Sequence, residues 1–158
     1  MKSWLRIFAI LSVMISPLVI AGAGADEYKI GDLEINHPWA RATMPGQDVA
    51  GGFLTITNKG QESDRLIAVE TDASKMTQVH EMAMLEGIMK MRELAGGLEI
   101  KPGETVELKP KSFHVMFMGL SGPFVEKQKF NAVLVFEKAG KLPVEFTIQA
   151  MGDMGMQH

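Results

Sequence analysis

Residues 77–94 read TQVHEMAMLEGIMKMREL, running from Thr77 to Leu94. Glu86-Gly87 stands in the middle, a two-residue turn signal weaker than Asn-Gly but of the same kind. Closing a hairpin on it pairs Leu85 with Ile88, Met84 with Met89, Met82 with Met91 and His80 with Glu93. Side chains alternate across a strand, so His80, Met82, Met84, Met89, Met91 and Glu93 would share one face. His80 and Met91 become diagonal neighbours, with β-carbons roughly 7–8 Å apart or less, within reach of two long side chains. A slip of one residue on either strand would scatter the set.

Outward from this hairpin the punctuation is that of a β protein. Short runs at 52–57, 65–69, 105–108, 113–118, 130–136 and 144–149 are rich in β-branched and aromatic residues, and Gly, Pro, Asn and Lys clusters separate them. No stretch sustains an apolar period of 3.6. Six to eight short strands at this spacing predict a single all-β domain, a sandwich of antiparallel sheets. There is no internal repeat and no linker long enough to divide it.

The run Phe113-His114-Val115-Met116-Phe117-Met118 is the second informative segment. Alternation puts His114, Met116 and Met118 on one side and Phe113, Val115 and Phe117 on the other, where they read as core. Lys109-Pro110-Lys111-Ser112 reads as a turn, which places His114 near the beginning of a strand at the rim of the domain.

His80, Met91, His114 and Met116 are therefore candidate metal ligands. Imidazole nitrogens and thioether sulfurs suit the soft monovalent ion Cu(I) better than zinc, calcium or magnesium. Single methionines and histidines are ordinarily core fillers and hydrogen-bonded structural groups. Here, however, 13 methionines occur in 158 residues, and six of them crowd beside two of only four histidines. Met82, Met84, Met89 and Met118 read as hydrophobic walls around the ion, with transient ligation as the other reading. His37, before Pro38, reads as structural and extended at the start of a strand, because proline disfavours the helical region for its predecessor. Trp39 reads as an apolar anchor.

The ends carry their own signals. Residues 1–25 combine Lys2 and Arg6, an apolar run over 7–20, and Ala23-Gly24-Ala25, the pattern of a cleavable signal peptide rather than an uncleaved anchor. No cysteine follows the run, which argues against a lipid-modified N-terminus. Cleavage would leave no stable membrane insertion and a domain over 26–150. Residues 151–158 form a tail too polar and glycine-containing to add to the core. Its Met151, Met154, Met156 and His158 form a candidate secondary copper site, with Cu(II) held through His158 and Asp153.

Composition excludes several functions. Lys2 and Arg6 lie in the leader, so 14 basic residues face 19 acidic ones in the remainder, without the clustered basic face of a nucleic-acid binder. With no cysteine anywhere, a blue-copper electron carrier lacks its thiolate and no disulfide supports the fold. No serine sits in a recognisable setting with a histidine, so an enzyme is not expected.

Specific flanks surround these candidates: His80-Glu-Met-Ala-Met84, Met89-Lys-Met91-Arg92, Gly96-Gly97-Leu98-Glu-Ile100, Pro102-Gly103, Val106-Glu-Leu-Lys109 and His114-Val-Met-Phe-Met-Gly-Leu120, with Pro38-Trp39-Ala40-Arg41-Ala42-Thr43 and Gly46 upstream. Over roughly 33–150 they resemble the PCuAC family of periplasmic copper chaperones. The resemblance implies a cupredoxin-like Greek-key β-sandwich that carries one Cu(I) on His80, Met91, His114 and Met116. It implies delivery to the CuA subunit of cytochrome c oxidase, directly or through another periplasmic copper chaperone. A periplasmic buffering or resistance protein, holding copper without specific delivery, would use the same binding chemistry.

Overall fold

In a computed structural model, residues 27–150 are described, and they contain strands and turns without a helix. The strands are β1 (Glu27–Ile30), β2 (Leu33–Arg41), β3 (Val49–Asn58), β4 (Asp64–Glu70), β5 (Ser74–Leu85), β6 (Ile88–Glu93), β7 (Leu98–Ile100), β8 (Thr105–Leu108), β9 (His114–Leu120), β10 (Lys129–Phe136) and β11 (Gly140–Gln149). The candidate signal peptide and the candidate tail ligands Met151, Met154, Met156 and His158 lie outside the described residues.

All six runs expected from the sequence are present as strands, β8 with the expected bounds, β9 starting one residue later, and most of the other ends extended by one to four residues. Eleven strands rather than six to eight are found, in part because β1 and β7 are only four and three residues long and carry little periodic signal. β2 was hidden by Pro38, which lies at a register shift between Asn36 and Trp39 in the pairing with β3. A shifted register tolerates a residue without a donor N–H. His37 corrects its expectation: its φ is 50°, left-handed rather than extended, and the Gln149 side-chain amide donates to its Nε2 at 2.9 Å. The local shift, reinforced by that bond, overrides the steric preference imposed by proline.

Hydrogen bonding runs continuously through the order β6-β5-β9-β3-β2-β11-β10-β4-β7, with β1 on β2 and β8 on β3. Every pair is antiparallel except β2 with β11, where Thr147, Ile148 and Gln149 run beside Trp39, Ala40 and Arg41. Strands remote along this path touch, β4 with β5 and β3 with β7, so the ladder folds over on itself. The enclosed core takes Ile35, Ile56, Leu66, Ile100, Val115, Phe117, Leu134 and Phe146, all fully buried. Trp39 is buried against Phe53, ring centroids 4.5 Å apart.

An aromatic cluster packs against the core face of β9, the strand that carries His114 and Met116. Phe117 meets Phe130 and Phe146 edge-on at 5.3 and 5.6 Å and packs near Phe124 at 6.0 Å, while Phe130 and Phe146 stack at 5.3 Å. Such contacts add about 0.5–1.5 kcal/mol per pair beyond area burial. β3 passes this cluster at Gly52, where a β-carbon would lie 2.5 Å from a Phe117 ring carbon. The ring is held by three others and has nowhere to retreat. Gly52→Ala should therefore destabilise the fold by about 1–3 kcal/mol, measured by chemical denaturation.

Candidate metal centre

The hairpin β5–β6 has the register that the sequence prescribes: His80 opposite Glu93, Met82 opposite Met91, Met84 opposite Met89, Leu85 opposite Ile88. Glu86 and Gly87 have φ of 52° and 78°. Two left-handed residues make the type I′ geometry whose twist matches the flanking strands. On its other side β5 pairs with β9, placing His80 opposite His114, Gln78 opposite Met116 and Met76 opposite Met118. Directly opposed residues share a face, so one surface of β6-β5-β9 carries both histidines and seven methionines.

β9 begins at His114, as expected from the turn before it. Val115 and Phe117 are fully buried in the core, which aims His114 and Met116 the other way. His114 Nδ1 lies 2.9 Å from the Ser112 carbonyl oxygen, which can only accept. The proton is thereby placed on Nδ1, and a neutral ring presents a bare Nε2. That Nε2 faces Met91 Sδ at 3.1 Å. Met91 spans from β6 across β5 to make this approach, and two lone-pair donors confront each other with no proton required between them.

His80 is prepared in a complementary way. Its Nε2 is 2.7 Å from Gln78 Oε1, an acceptor, so Nε2 carries the proton. Nδ1 is then a buried lone pair with no hydrogen-bond partner. Leaving such an atom unsatisfied costs about 1–3 kcal/mol, a cost that a bound cation removes. The two imidazoles meet edge to face, centroids 5.6 Å apart. Burial pushes the His80 ring below the ordinary value of 6.5, a charge on His114 pushes it further, and the Glu93 carboxylate opposes both. A neutral His80, the form able to hold a metal, is thus retained to lower pH than an exposed histidine would allow.

Met82, Met91, His114 and Met116 line one cavity of about 520 Å³, shared with Arg41, Gln47, Val49, Phe53, Pro110 and Lys111. Three of the four predicted residues thus line a common space, and His80 adjoins it through His114. Arg41 and Lys111 bring positive charge to the cavity, and Arg41 Nε is buried without a hydrogen-bond partner. Neutral donors beside two fixed cations disfavour divalent ions relative to a monovalent one. The wall reading of Met84 and Met89 is not what the structure has: they are 62 % and 46 % exposed, away from the cavity. Sequence reasoning missed Gln78, Arg41 and Lys111. Gln78 was within reach of it, since alternation from His80 leads directly to that position.

A family model described as LpqE-like matches residues 33–148. The chain belongs to this family. It is the PCuAC family to which the sequence motifs pointed. A curated relative from Leifsonia xyli subsp. xyli, named a lipoprotein, is 27 % identical over 117 residues, 74 % of this chain and 69 % of its own. Among solved structures, the copper-bound PCuAC domain from PmoF2 superposes with a TM-score of 0.67 at 27 % identity, covering 78 % of this chain and 97 % of that one. The Cu(I) form of DR1885 from Deinococcus radiodurans shares the fold at a TM-score of 0.62 and 23 % identity, covering 84 % and 86 %. The all-β, cupredoxin-like architecture expected from the sequence is therefore the one observed.

In the metal-free protein, NMR titration of the imidazoles should find His80 with its midpoint below 6.5. Glu93→Gln should lower it again, because the substitution removes the one charge that favours protonation.

Proposed function

We propose that this protein is a periplasmic copper chaperone that binds Cu(I) through His80, Met91, His114 and Met116 and delivers it to the CuA centre of cytochrome c oxidase. The observation that carries the reading is the 3.1 Å approach of His114 Nε2 to Met91 Sδ, with Nδ1 committed to a carbonyl oxygen. Membership of the PCuAC family and the copper-bound relative support it. Two neutral imidazoles and two thioethers add no charge of their own to that of the ion, and soft sulfur favours Cu(I) over Cu(II).

The same donors suit a carrier better than a permanent holder. Thioether bonds are weak and can be exchanged one at a time, so copper leaves as acceptor thiolates or imidazoles replace them. Transfer runs toward the stronger ligands. Met91 is 49 % exposed, within reach of an incoming group, whereas His114 is buried and stays behind as the last anchor. Export by a cleaved leader over residues 1–25 belongs to the same reading.

The tail is assigned to capture. β11 ends at Gln149, opposite Arg41, and Arg41 lines the cavity that His114 and Met91 share. The described residues end at Ala150, one position after that pairing, and in this reading Met151, Met154, Met156 and His158 supply a second, looser donor set that also takes Cu(II).

Anaerobic Cu(I) titration should give one tight equivalent. Met91→Ala and His114→Ala should each weaken it by about tenfold or more, ~1.4 kcal/mol or above; unchanged affinity in both would defeat the assignment. Mixed with an apo CuA domain, the loaded protein should give up its copper. Retention would indicate a buffering or resistance protein instead. Truncation after Ala150 should lower total copper stoichiometry and leave the tight equivalent intact.

A further inference from the structure

Nine large hydrophobic residues are conspicuously exposed among those described, and five of them, Met84, Leu85, Ile88, Met89 and Met91, lie on the β5–β6 hairpin. Single exposed apolar residues need no explanation, but a concentration on one eight-residue tip does. The hairpin also sorts them by chemistry. Met84/Met89 and Met82/Met91 are opposed on the face that carries His80 and His114, while Leu85/Ile88, Ala83/Lys90 and Glu81/Arg92 are opposed on the other. A purely hydrophobic contact surface has no reason to segregate thioethers from aliphatic side chains of similar size.

We propose that Met84 and Met89 form an outer Cu(I) station, a two-thioether site at the hairpin tip through which copper enters and leaves the inner site. The inference rests on the carrier reading above and extends it. Directly opposed β-carbons in such a ladder are about 4.5–5.5 Å apart, close enough for two flexible thioethers to share one ion. The next rung, Met82/Met91, lies two residues along, about 7 Å, and Met91 already touches His114. A cuprous ion can pass from rung to rung with one sulfur bond forming as another breaks, its oxidation state unchanged. The type I′ turn at Glu86-Gly87 holds the rungs in register, and all six residues of β6 are exposed, so the station is open to solvent.

The test uses the protein with 13C-labelled methionine methyls, titrated anaerobically with Cu(I) past one equivalent. The first equivalent should move the Met91 and Met116 methyl signals. Copper beyond it should move Met84 and Met89 together, while Met44, equally exposed but outside the ladder, stays in place. Met84→Leu/Met89→Leu keeps the apolar volume and removes the sulfurs. This variant should keep the affinity of the first equivalent and release copper to bicinchoninate more slowly, by about threefold or more. Static Met84 and Met89 signals, or release at the unsubstituted rate from the double variant, would overturn the outer station while leaving the inner site standing. Failure of Met91 and Met116 to move with the first equivalent would instead remove the inner site, and the outer one with it.

Discussion

The burial of Val115 and Phe117 is the constraint on which the arrangement depends. Strand geometry allows β9 only two faces, and these two residues commit one of them to the core. Phe117 is gripped by Phe124, Phe130 and Phe146, which come from the β9–β10 connection and from two strands on the far part of the ladder. The donor groups of His114 and Met116 are thereby displayed on the opposite face without any interaction of their own having to put them there. A ligand set positioned by the core can remain empty without collapsing.

The second level of control is the protonation state. Ser112 and Gln78 each occupy one nitrogen of a histidine with an oxygen acceptor, so each imidazole keeps a lone pair on its other nitrogen. Such outer hydrogen bonds fix tautomer and ring orientation as much as the direct ligands fix the ion. They also explain why the site need not carry a negative charge: the donors are prepared by partners that remain neutral. Glu93, across from His80, and the cations Arg41 and Lys111 then set the local field.

Much of this was legible in the sequence, and the part that was legible has a physical pattern. The β5–β6 register could be read because its turn and its alternation agree, and the direction of the β9 side chains could be read because only one face was apolar. The pairing of β5 with β9, which brings His80 opposite His114, joins segments more than thirty residues apart, and no local signal specifies it. The parallel contact of β2 with β11 and the left-handed His37 were equally hidden, the first because it joins segments more than a hundred residues apart, the second because it sits at the register shift between β2 and β3. Gln78 was overlooked because a glutamine on a strand looks like a solvated residue until its hydrogen bond to His80 is seen.

The parallel run of β11 beside β2 has a topological consequence. It leaves Ala150 next to Arg41, one of the residues that line the cavity. An acceptor domain grafted there through a short flexible linker would be tethered over the opening, at an effective concentration in the millimolar range. Ligand exchange would then become intramolecular, and its rate would report the chemistry of the handover without the diffusional encounter that normally precedes it.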